Sequence, residues 1–206
     1  MLTTSLEPAL TAVGMPIPDS AFAGRARELM LDAEPAFLVN HSVRAYAWAA
    51  ALAEHDGLTF DPEILYVAAL LHDIGLVPAY DLGGCFEFDG AMAARKFALA
   101  NAEPAPRADA IHDVIARHMA AELPPDATVE DALLSDSTGT DVTGYRLADV
   151  RPELVPPVLA AYPRLDFKRE FTARFVDQAG RKPKCRVAEM VAAGKLAAIA
   201  SAPFEE

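Results

Sequence analysis

Cysteine is scarce in this chain. Cys85 and Cys185 are the only two in 206 residues, and neither belongs to a close pair such as C-x-x-C, which excludes a zinc knuckle and a dithiol redox motif. A long-range disulfide between them stays open. Positive charge is short as well: 18 Lys and Arg stand against 30 Asp and Glu, a formal charge of -12, and the cations are scattered. Such a field repels nucleic-acid backbones and anionic membrane surfaces, so neither is an expected partner. No apolar run approaches the roughly 20 residues of a membrane span. The start, MLTTSLEPALTAVG, lacks the basic leader of a secretory signal and carries Glu7. A soluble, cytoplasmic protein acting on a small molecule is the expectation, with a homo-oligomer left open. Strand patterning, internal repeats and low-complexity tracts other than an Ala bias are also missing, so the fold class reads as all-α.

What is present is enough apolar material for a core. At 52% hydrophobic and 23% charged the composition is that of a globular protein, and the length suits one domain. Residues 1–22, with Pro8, Pro16 and Pro18, read as an N-terminal arm, and 23–206 as the domain. Asp19 and Ser20 offer caps for a helix over 25–33, and further helices are expected over 37–54, 64–73, 88–100 and 107–120. Another runs from about 129 into TGTDVTG, and accessory C-terminal helices are expected over 152–162, 167–179 and 184–200.

The stretch ILYVAALLHDIG, residues 64–75, says most about chemistry. Eight uncharged residues, Ile64 to Leu71, run directly into His72 and Asp73, with Pro62 suited to a first helical turn and Gly75 to a stop. An imidazole and a carboxylate are thereby carried to the end of a buried helix. An unpaired buried charge is very costly, and a metal ion would satisfy both groups. On the preceding helix His41 and Arg44 share a face with Trp48 and Leu52, and on the helix over 107–120 His118 shares one with Ile111, Val114 and Ile115. His112 lies roughly 120° away from that face. His55 suits a helix C-terminus as a cation near the dipole and has no assigned role. Asp141 stands between Gly139 and Gly144, with Asp136 as a nearby competitor.

In order, His41, then His72 with Asp73, then Asp141 resemble the HD-domain superfamily of metal-dependent phosphohydrolases, over residues 37 to about 145. The strings NHSVRAYAWA, LLHDIG, CFEFDGAMAA, IARHM and TGTDVTG are most similar to its cyanamide hydratase-like branch. The resemblance implies a single-domain helical bundle in which His41, His72, Asp73 and Asp141 bind one divalent transition metal. Two nitrogens and two oxygens leave positions for water; zinc is the first choice, with Fe, Mn, Co or Ni as alternatives. Asp73 and His118 are expected in catalysis, His118 moving a proton and touching the substrate. Arg44 is expected to bind substrate, or to pair with a carboxylate such as Glu87 or Asp73. Glu87 is expected to position the substrate or shuttle a proton, or else to complement a helix dipole.

Two departures from the wider superfamily narrow this reading. Phe86 stands where dinuclear members place a His, which argues for one metal. Leu76 follows HDIG where many phosphohydrolases have a phosphate-binding Lys, which argues against a phosphorylated substrate. The expected reaction is therefore hydration of a small nitrile-like molecule. Hydrolysis of a nucleotide or other phosphate ester is the alternative, and a ligand-binding protein without turnover comes third.

Overall fold

The computed structural model describes residues 16–206, and among them every regular element is helical. Six helices form the body: α1 (Ala21–Ala33), α2 (Ala36–Asp56), α3 (Pro62–Leu71), α4 (Phe86–Ala100), α5 (Ala105–Arg117) and α6 (Val129–Thr143). Four more follow: α7 (Val155–Ala161), α8 (Phe167–Arg181), α9 (Arg186–Ala192) and α10 (Ala197–Ala200).

The first fifteen residues of the expected arm lie outside the described residues. Residues 16–20 run along the body, with Ile17 packed on the core and the Tyr46 hydroxyl donating to the Pro16 carbonyl. Ser20 then caps α1, its hydroxyl accepting from the Ala23 N–H at 3.0 Å, so the first helix begins at Ala21.

Helix α2 is buried nearly all round. Its alanines at 45, 47, 49, 50, 51 and 53 are all buried and keep it slim, so α3 and α6 can pack close on it. Helix α3 starts on Asp61, whose carboxylate accepts from Glu63 N–H and Ile64 N–H at 3.0 Å each, with Pro62 in the first turn. From Leu65 to Leu71 every residue is buried, as an apolar run of this kind requires. The α-helix ends two residues earlier than expected: His72 and Asp73 lead into a 3-10 turn, Ile74–Leu76. Gly75 is needed there, because a Cβ would sit 2.1 Å from the Phe86 carbonyl oxygen. Without a side chain, the start of α4 lies directly against the turn that carries the His-Asp pair.

A second apolar cluster covers that turn from the C-terminal side. Phe167, Phe171 and Phe175, four residues apart on α8, pack with Phe37, Leu76, Phe86, Val187 and Ile199. The single helix expected over 184–200 is in fact two, because Gly194 adopts a left-handed φ of 71° between them. The segment expected over 152–162 opens with a 3-10 turn at Pro152–Leu154 and becomes α-helical only from Val155.

Cys85 and Cys185 are bonded, closing a loop with a sequence separation of 100. The bond ties the residue before α4 to the residue before α9, and so fastens the C-terminal cover to the body. Replacing both with Ser, or reducing the bond, should cost roughly 2–4 kcal/mol and lower Tm by about 5–15 °C. A thermal melt with and without reductant checks this. Among the described residues no helix is long and apolar enough to cross a membrane.

Candidate metal centre

His41 comes from α2, and His72 and Asp73 from the end of α3; the fold brings them to one point. His41 Nε2 and His72 Nε2 are 3.2 Å apart, and Asp73 Oδ2 lies 3.5 Å from the first and 3.4 Å from the second. The other nitrogen of each ring is already committed. His41 Nδ1 donates to Asp141 Oδ2 at 2.8 Å, and His72 Nδ1 donates to the Ala69 carbonyl at 2.8 Å. A carboxylate and a carbonyl can only accept, so both Nδ1 atoms carry a proton, and in the neutral form of each ring Nε2 presents a lone pair. Asp73 Oδ2 is buried with no hydrogen-bond partner. Three acceptors therefore converge in the protein interior, and the group that satisfies them is a cation.

A proton and a metal ion compete for that point. Burial lowers the pKa of His72, but the Asp73 carboxylate outweighs it and the net shift is upward. Burial lowers His41 as well, and there the opposing bond and charge of Asp141 do not make up the difference. Asp73 is pushed up by burial yet lowered overall to about 2 by His72, His41 and His118. Metal binding at such a site displaces a proton and weakens in acid. These three side chains form the cluster able to hold a metal.

Asp141, expected as a fourth ligand, is not brought into this three-residue cluster. Its Oδ1 accepts from Arg44 Nε and Trp48 Nε1, and its Oδ2 from Arg44 Nη2 and His41 Nδ1, each at 2.8 Å. With four donors on two oxygens, and on the Nδ1 side of His41, this carboxylate stands behind the ring. Burial raises its pKa, but the Arg44 charge and these bonds hold it far below the usual carboxylate range. Asp136, the competitor, pairs with Arg146 at 2.8 Å instead.

Arg44, expected to bind substrate or pair with a carboxylate, is outside the lining of the cavity over the cluster and is paired with Asp141. It is fully buried, grips Asp141 with two nitrogens, and donates through Nη1 to the Tyr162 carbonyl at 2.9 Å. Its carboxylate partner is neither Glu87 nor Asp73. Glu87 sits in the first turn of α4, not in a loop, with its carboxyl pushed up by burial and Oε2 without a partner. It does not line the cavity over the cluster. His112 is bonded to Asp113 and lies away from the site.

That cavity, about 210 Å³, has His41, His72, Asp73 and His118 for its floor. His118 follows the last residue of α5, and its Nδ1 donates to the Ile115 carbonyl at 2.6 Å. Its Nε2 is again a lone pair, 4.0 Å from Asp73 Oδ1. Burial and the neighbouring His72 lower its pKa to about 4, so the ring is neutral near pH 7. Phe86 packs on His118 with ring centroids 5.6 Å apart. Phe171, Phe175, Val142, Met119 and Met190 make much of the wall apolar, Ser135, Thr138 and Thr143 add hydroxyls from α6, and Arg186 reaches the lining from α9. Sequence reasoning missed these residues. The Phe167, Phe171 and Phe175 stripe on an otherwise polar helix was a usable signal, whereas nothing local marked Arg186.

A helical bundle that buries this His, His-Asp arrangement beneath a small cavity has a known class. The HD domain family model matches residues 38–142, half of the chain, and the protein belongs to that family of metal-dependent hydrolases. Two curated relatives are similar to it, Cyanamide hydratase DDI2 and Cyanamide hydratase DDI3 of Saccharomyces cerevisiae. Each is 26% identical over 174 residues, which cover 82% of this chain and 77% of the relative.

Proposed function

We propose that this chain is a metal-dependent hydratase of a small nitrile-like molecule of the cyanamide type. The observation that carries the reading is the set of three convergent acceptors at the floor of a cavity of about 210 Å³. Pockets for drug-sized ligands run roughly 300–1,000 Å³, so this one favours a much smaller substrate. One divalent transition metal, zinc first, would be held by His41, His72 and Asp73. Such an ion lowers the pKa of bound water toward about 7 and polarises the substrate.

The chain's own groups do the rest. Asp141 fixes the tautomer and direction of His41, and Arg44 and Trp48 fix Asp141. The Phe171 and Phe175 walls keep bulk water out. In hydration a C–O bond forms at the nitrile carbon, one C–N π bond breaks, and a proton leaves oxygen while another reaches nitrogen. His118 Nε2 is the base that takes the departing proton. A second reading, phosphate-ester hydrolysis, draws support from Arg186 as a cation in the lining, although the volume counts against a nucleotide.

A panel of cyanamide and small nitriles against nucleoside monophosphates, run on zinc-, iron- and manganese-loaded protein, tests the choice. A urea or amide product is expected. Phosphate release with no hydration product would overturn it.

A further inference from the structure

We propose, on the footing of the hydratase reading, that Arg186 makes this a site for small anionic nitriles. The substrate class is an electrophilic carbon joined by a short link to a carboxylate or similar acceptor. Among the described residues lining the cavity, Arg186 is the one Arg or Lys side chain. Its Nε is buried and finds no acceptor, which is a costly state for a charged donor. Its Nη1 pairs only with Glu189 Oε2, at 2.9 Å on the same helix, and the Glu189 side chain is 65% exposed. An exposed pair of that kind contributes about 0–1 kcal/mol, so a ligand can displace it.

The backbone at Arg186 is also held. Cys185, the residue before it, is bonded to Cys85, the residue before Phe86, and Phe86 packs on His118. The backbone that carries Arg186 and the His118 side of the cavity are thus joined by a covalent tie and a ring contact. The arrangement distinguishes two ends of a ligand. The His41, His72 and Asp73 end takes the carbon to be attacked, and Arg186 in the lining supplies a fork of N–H donors suited to a carboxylate. A cavity of about 210 Å³ corresponds to about seven waters at about 30 Å³ each, which keeps the link between the two ends short.

Cyanoacetate and cyanoacetamide test this, because they share a shape and differ in charge. Both are titrated by calorimetry into zinc-loaded wild type, Arg186→Gln, Arg186→Lys and Glu189→Gln. Wild type is expected to bind cyanoacetate about tenfold or more tightly than cyanoacetamide. Arg186→Gln should lose about tenfold on cyanoacetate and under about twofold on cyanoacetamide. Arg186→Lys should fall between, and Glu189→Gln should bind the anion more tightly. Equal binding of the two ligands by wild type, no binding of either, or equal loss of both in Arg186→Gln overturns the proposal. The wild-type comparison needs no variant to fold. Charge selection without any amide product would sink the hydratase reading and leave Arg186 as the anion selector. Amide production without charge selection would do the reverse.

Discussion

His72→Ala is expected to give a folded protein that retains no divalent ion and has lost about 10³-fold or more of its nitrile-hydrating activity. His72 Nε2 is one of three donors, and its ring is held in place by the Ala69 carbonyl, 2.8 Å from Nδ1. Two remaining donors do not make a tight site, while the turn that carries them is still closed by Gly75 against α4. Elemental analysis should show the metal gone, and circular dichroism should show helix content retained. His112→Ala is the control. His112 is bonded to Asp113 outside the cavity, so both metal content and activity should stay within about twofold of wild type. Loss of metal in both variants would mean that the metal is not held by His41, His72 and Asp73.

Asp141→Asn should act on stability and on metal affinity together, through the groups it aligns. The carboxylate neutralises a fully buried Arg44 and receives Trp48 and His41 as well. An amide of the same shape removes the charge and turns one acceptor into a donor facing donors. Breaking a buried ion pair from one side costs roughly 3–5 kcal/mol, so Tm should fall by about 10 °C or more. Metal affinity should weaken by about 10–100-fold, the effect of disturbing a group behind a ligand. The size of that second effect separates two arrangements. If Asp141 were itself a ligand, its variant would be as metal-free as His72→Ala. Calorimetric titration of zinc into both variants compares them directly.

Much of the fold was legible because its signals are local. The capping residues before α1, the uncharged run of α3, and the prolines between helices each mark an element by short-range chemistry. The chief misjudged element, 184–200, failed because Gly194, inside an Ala-rich run, adopts a left-handed φ and breaks the helix. The site was legible in part, for a related reason. His41, His72, Asp73 and His118 lie on faces whose apolar neighbours point them inward. The bond between Arg44 and Asp141 was not legible, because the two are 97 positions apart and no periodicity reveals such a pair. Arg186 and the Cys85–Cys185 bond were hidden for the same reason: both depend on how the C-terminal helices fold back over the body.

The most direct measurement is the metal content of the protein purified without chelator or His-rich tag, followed by zinc titration of the stripped protein. One divalent ion per chain, restored by titration near pH 7 and lost in acid, is the predicted result. A protein that emerges without metal, and takes up none when zinc, iron or manganese is offered, would contradict the account at its root.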